Sequence, residues 1–228
     1  MKRIVFLGFL AATPLAAQVG HKPDRSPYND LEYRQELSFF GGYFNAHRDP
    51  AGVAPRPGVQ AGVRYEVLMA GPASFYARIA GIASERERLD PTKPLASRSL
   101  GVDPVQLLQA DIGLTFNVTG RKSIFRLVPT VSAGLGAFSD LGRKSDEGAY
   151  SFGTPFAISM GAGVRYAPGG RVQFRLDYTN HLYRIRYPQS YFASTTASGP
   201  AVLVGDDKRN VWTNNAGITL GASYFFYR

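Results

Sequence analysis

From Glu36 onward the chain repeats one pattern eight times: an apolar residue at every second position, sustained for the length of a strand. A period of two marks a β-strand with one apolar and one polar face. It is clearest in Gly58 to Met69, where Val59, Ala61, Val63, Tyr65, Val67 and Met69 alternate with Gln60, Gly62, Arg64 and Glu66. Ser74 to Ala83, Val105 to Thr119, Ile124 to Phe138, Pro155 to Ala167, Arg171 to Tyr183 and Asn215 to Arg228 obey the same rule. In Glu36 to Ala46, the first of the eight, Leu37, Phe39 and Tyr43 share one face while Phe40 and Phe44 fall on the other, so pattern alone leaves its phase open. Pro129 falls inside the fifth strand, where it removes a ladder donor; a bulge would resolve this.

The connections alternate in length. Ala70-Gly71-Pro72-Ala73, Thr119 to Ser123 and Pro168-Gly169-Gly170 are short turns. A long connection follows the first strand, and Ser84 to Pro104, Ser139 to Phe152 and Arg184 to Asn210 are long polar loops. The predicted fold is all-β: an eight-stranded antiparallel up-and-down transmembrane β-barrel with long extracellular loops and short periplasmic turns.

Position along the strands separates this fold from a soluble lipocalin-like ligand-binding barrel, in which the apolar face would line a cavity. Tyr65, Phe75, Phe116, Phe125, Tyr166, Phe174, Tyr224 and Phe226 gather on the apolar face near the short-turn ends. Aromatics at one level form the girdle expected at a membrane interface. The other face carries Arg64, Glu66, Arg78, Asp111, Arg126, Arg165, Arg175 and Asp177. Eight strands leave a lumen that side chains can fill, and a buried charge without a partner is costly. These eight residues are therefore expected to form one ionic network that plugs the lumen, with Glu66 paired to Arg78 across the turn.

Composition narrows the function. The amino terminus reads as a secretory signal over residues 1–18: Lys2 and Arg3, an apolar run from Ile4 to Ala12, then a small-residue exit. Residues 19–35 are a polar periplasmic lead-in with no core of its own, and 36–228 form the barrel. The formal charge of +9 is spread along the 228 residues without a Lys/Arg run, so no nucleic-acid partner is expected. There is no cysteine and only three histidines, which excludes disulfides and thiolate metal sites; no cofactor or metal is expected.

Thr219-x-Gly221-x-x-Tyr224-x-Phe226 resembles the closing-strand signal that the barrel-assembly machinery reads in bacterial outer-membrane barrels, with Tyr227-Arg228 as an added tail. From Glu36 to Arg228 the chain resembles the small eight-stranded outer-membrane family that includes the OmpA transmembrane domain and OmpX. That resemblance implies location in the bacterial outer membrane, contact with its lipid and lipopolysaccharide, and a role in envelope structure or surface adhesion through the loops. With the barrel running to Arg228, no peptidoglycan-binding domain of the OmpA kind is expected after it.

Two alternatives involve the barrel itself. A lipid A-modifying hydrolase resembling PagL would need a His-x-Ser-Asn motif facing the lipid, but Leu182 and Tyr183 follow His181, which falls on the inward face near the rim. A hydrolase also needs a serine within reach of its base, and the sequence places none beside His181. No enzyme is expected, and His181 is assigned to the network of Asp177 and Arg175. A passive, anion-favouring pore would use the room left by Gly113, Gly134, Gly136, Gly161 and Gly163. In loop 84–104, Glu85-Arg86-Glu87-Arg88 reads as a solvated strand extension. In loop 184–210, Arg184, Arg186, Tyr187, Tyr191 and Phe192 suit either an acidic glycan or lipopolysaccharide phosphate, or packing on the rim, whereas Gly205-Asp206-Asp207 is too short to argue for calcium.

Overall fold

Among the described residues ten strands form in chain order: β1 Tyr28–Asp30, β2 Gln35–Asn45, β3 Gly58–Ala70, β4 Ala73–Leu89, β5 Ser99–Asn117, β6 Lys122–Ile124, β7 Leu127–Asp140, β8 Phe156–Tyr166, β9 Val172–Arg186 and β10 Asn210–Phe226. The computed structural model describes residues 26–31, 34–142, 145–194, 200–204 and 209–226. The signal segment, the lead-in up to residue 25, the Gly205 to Asp207 run and the Tyr227-Arg228 tail lie outside the described residues.

Eight of the strands make a closed antiparallel barrel in the order β2-β3-β4-β5-β7-β8-β9-β10. Closure comes from β10 pairing with β2, from Ala216 opposite Asn45 to Phe226 opposite Gln35. The ring of eight strands therefore has no free edge, which is what a strand structure needs in hydrocarbon, where unpaired backbone groups find no water.

The faces sort by polarity. Phe39, Ile79, Ile112, Leu135, Met160, Leu176 and Leu220 are each about half exposed or more, whereas Arg64, Glu66, Arg165 and Arg175 are at most 5% exposed. Apolar side chains thus cover the outside and charge lies within, the reverse of a lipocalin-like barrel. In β2, Phe39 and Tyr43 point outward and Phe44 is fully buried in the lumen, which fixes the phase of that strand.

The fifth predicted strand is corrected at its start. Phe125 and Arg126 take φ of +51° and +65° and form the turn between β6 and β7, so β7 begins only at Leu127. Arg126 is exposed in this turn and does not belong to the lumen set. The Thr119 to Ser123 connection is also more than a turn: its Lys122–Ile124 strand pairs with Tyr28–Asp30 of the lead-in. The lead-in is thereby tied to the barrel's short-turn end. Pro129 needs no bulge. Its carbonyl accepts from Val118 N–H at 2.9 Å, one step past the end of β5, so the missing donor falls where the ladder has finished, and the β7–β8 register runs unbroken from Leu127 to Ala137.

On the long-loop side the barrel continues as a wall. β4 and β5 pair as far as Leu89 opposite Ser99, so most of the predicted loop 84–104 is a hairpin standing above the membrane band.

Candidate functional site

The lumen has two storeys. In the lower one, four arginines, Arg64, Arg78, Arg165 and Arg175, meet four carboxylates, Glu36, Glu66, Asp111 and Asp177, and formal charge balances. Arg175 Nη1 lies 3.0 Å from Glu36 and 2.9 Å from Glu66, and its Nε 2.8 Å from Asp177. Arg165 contacts Glu36 at 3.0 Å and also Glu66. Register places Glu36 directly opposite Glu66, and Arg165 directly opposite Arg175. Like charges in those positions repel. Each pair is neutralised by the other, reaching across the lumen.

That reach shows how narrow the interior is. β3 and β8 are four strands apart on a ring of eight, yet Glu66 and Arg165 are in direct contact. Arg78 on β4 similarly reaches Thr179 on β9 at 3.4 Å. Its main partner is Asp111, held by two bonds of 2.8 Å. The predicted Glu66–Arg78 pair is therefore not formed: Arg78 belongs to Asp111, and Glu66 to Arg64, Arg165 and Arg175.

Side chains occupy the space beside three of the inward glycines. A Cβ on Gly113 or Gly134 would strike Tyr76, and one on Gly136 would strike Asp111. Tyr76 is 1% exposed, lies 3.9 Å beneath the Arg64 guanidinium carbon and donates to Asp111 at 3.0 Å. The glycines make room for a ring and a carboxylate rather than for water. A cavity of about 40 Å³ remains at the short-turn end, beside Arg34, Glu36 and Arg165 and under Phe225. It has room for a few ordered waters.

The upper storey is apolar, a feature absent from the sequence reading. Phe44, Ile82, Leu107, Phe138 and Tyr183 are buried there in one cluster. His181 lies in it, with ring centroids 5.2 Å from Phe138 and 6.2 Å from Phe44. Its Nδ1 is 2.9 Å from Ser159 Oγ on the neighbouring strand. The assignment of His181 to Asp177 and Arg175 is thus corrected, and so is the absence of a serine at its side. Cross-strand pairing supplied what a linear motif could not show. The pair faces the interior, walled by aromatics.

Above the cluster the loops close the mouth. Tyr150, Tyr187 and Tyr191 stack pairwise with centroids 6.0 to 6.2 Å apart. Tyr187 donates to Asp49 Oδ2 at 2.7 Å, and Asp49 Oδ1 accepts from Ala54 N–H at 2.9 Å. Arg86 is 1% exposed and pairs with Asp146 at 2.7 Å, so it points into the cap and is not part of a solvated extension. Burial, reinforced by Asp49, raises the phenol pKa of Tyr150 and Tyr187 well above the usual value; burial and Asp146 do the same for Tyr191. Of the loop 184–210 residues, Tyr187 and Tyr191 pack inward, while Arg184 and Arg186 face out.

On the outside, Phe75, Phe116, Tyr166, Phe174 and Tyr224 are 38 to 49% exposed. Tyr65 stacks on Phe226 at 6.1 Å, while Phe125, 74% exposed, sits in the turn rather than on a strand. Tyr43, Phe156 and Trp212 stand outward nearer the long-loop ends. Of the closing-strand residues, Thr219 and Gly221 point inward, Tyr224 and Phe226 outward.

The barrel has structural counterparts. It is similar to the Neisserial surface protein A (NspA), with TM-score 0.51 and 13% identity over 84% of this chain and 97% of that one. It is also similar to the outer membrane protein OprG from Pseudomonas aeruginosa, with TM-score 0.50 and 12% identity over 87% of this chain and 99% of that one. At such identities the likeness shows the fold alone. A search of curated proteins finds no significant sequence match. The family model described as outer membrane protein beta-barrel domain matches residues 4–226, and the chain belongs to that family of bacterial outer-membrane proteins.

Proposed function

We propose that the protein is a closed, non-conducting barrel that acts at the cell surface through the hairpin ends it holds above the membrane. The observation that carries this reading is the contact between Glu66 and Arg165 across the full width of the lumen. A barrel crossed by such pairs and capped by three stacked tyrosines favours display over transport. The Ser159–His181 pair, enclosed by Phe44 and Phe138, is read as a packing element rather than a catalytic one.

The part offered to a partner is the β4–β5 tip. Thr92 to Ser97 are all exposed, Leu95 at 69%, while the flanking Pro91 and Arg98 are buried. A surface partner would meet this tip first. Replacing Thr92 to Ser97 by a Gly-Ser linker spares the cap, unlike deletion of 188–200, which would remove Tyr191 from it. Cells displaying the linker variant are expected to lose attachment to an abiotic or glycan-coated surface while the barrel stays heat-modifiable. Unchanged attachment would remove the tip from the mechanism, and stepwise conductance in planar bilayers would reject the closed lumen.

A further inference from the structure

The outer face of β8, β9 and β10 changes character abruptly near its long-loop end. Along β9 the outward residues Phe174, Leu176 and Tyr178 are 46 to 49% exposed, and Leu182 pairs with Ile158 of β8. The next two outward positions on β9 are Arg184 and Arg186, both exposed. Register sets Arg184 opposite Trp212 and Arg186 opposite Asn210. On the other flank Phe156, two residues before Ile158, lies beside Arg184. Two cations thus begin where the apolar band ends, the first flanked by aromatic rings.

These arginines border a groove of about 510 Å³, whose other walls include Ser151, Thr154, Phe156 and Trp212. Among the described residues neither guanidinium has a carboxylate within 4.0 Å, unlike Arg56, Arg86 and Arg88, each of which pairs with an acid above the membrane. On β4, four strands from β9, the exposed outward residue at the extension is Glu85. Arginine binds phosphate through two parallel N–H bonds, and tryptophan favours the boundary between hydrocarbon and headgroups. Alternate residues of a strand stand about 7 Å apart, so both guanidinium groups can face one headgroup.

We propose that Arg184, Arg186 and Trp212 form a binding site for the phosphate of a phosphorylated glycolipid in the outer leaflet, with its acyl chains against Phe156, Ile158 and Leu182. The site lies on the wall of the barrel and depends on the membrane location alone. It stands or falls separately from the role assigned to the β4–β5 tip.

Trp212 is the sole tryptophan of the chain, so its fluorescence reports on this groove alone. The refolded protein in neutral detergent is titrated with bisphosphorylated lipid A, with the same lipid after chemical dephosphorylation, and with inorganic phosphate. A saturable change is expected with the first only. The double variant R184Q/R186Q is expected to bind about tenfold more weakly or worse, while R126Q, which removes a charge at the other end, binds as the parent does. Heat-modifiability confirms folding of each variant. Equal binding of the dephosphorylated lipid would reduce the groove to a nonspecific acyl surface and overturn the proposal, as would undiminished binding by R184Q/R186Q. An equal response to inorganic phosphate would assign the site to soluble anions and overturn the lipid.

Discussion

Substituting Glu66→Gln tests the lumen network at its most connected point. Glu66 contacts Arg64, Arg165 and Arg175, and all four side chains are at most 6% exposed. The amide keeps the volume and some hydrogen bonding but removes the charge, so the four arginines then face three carboxylates. Breaking a buried pair in this way costs about 3–5 kcal/mol, because the remaining charges are left uncompensated away from water. With a urea slope of about 2 kcal/mol/M, the unfolding midpoint in phospholipid vesicles falls by about 2 M. Trp212 fluorescence follows the transition, and the shift from compact to extended migration on unboiled gels gives a second probe. Pairing Glu66→Gln with Arg165→Met restores the balance and is expected to recover part of the loss, since neighbours in one network couple by about 0.5–3 kcal/mol. A change below about 0.5 kcal/mol, of the size seen for surface substitutions, would mean that the charges are hydrated, and the plug argument would fail.

Gly134→Ala puts a methyl into Tyr76 and the Ile112 carbonyl and is expected to destabilise the barrel by about 1–3 kcal/mol in the same urea assay; a neutral effect would show that Tyr76 is not packed there. The cap is expected to fail in alkali. The raised phenol pKa values of Tyr150, Tyr187 and Tyr191 mean that the stability they lend is fully present below the ordinary phenol value of about 10 and is lost as pH climbs beyond it. Phenolate absorbance then shows a late step that Tyr187→Phe diminishes; a single step at the ordinary value would contradict the burial. Replacing Tyr224 and Phe226 by alanine is expected to lower the heat-modifiable fraction in the outer membrane while protein accumulates unfolded in the periplasm, and normal assembly would free these residues of a signalling role.

The barrel was legible because its two faces differ at every second residue, and a one-residue slip would invert all of them. The lower lumen followed for the same reason: Arg64, Glu66, Arg78, Asp111, Arg165, Arg175 and Asp177 are polar residues at inward positions of apolar strands. Glu36 was missed because the strand that carries it has aromatics on both faces, Phe39 outward and Phe44 inward. Arg126 was misplaced because the turn at Phe125 and Arg126 takes positive φ without glycine, asparagine or aspartate to announce it. The upper lumen was illegible in kind. Phe44, Phe138 and Tyr183 become neighbours only when β2, β7 and β9 enclose a common axis, and Ser159 meets His181 only through the register of β8 on β9. Arg86 read as solvated because its partner Asp146 lies in another loop.

The central claim is that hydrocarbon bathes the apolar face while charge fills the axis. The natural absence of cysteine permits single-cysteine spin labels without background, and accessibility to oxygen and to a water-soluble nickel chelate can be compared in lipid vesicles. Labels at Leu114 and Leu220 are expected to meet oxygen freely and the chelate hardly at all, whereas a label at Thr219 meets neither. Chelate access at Thr219, or shelter from oxygen at Leu220, would contradict the account.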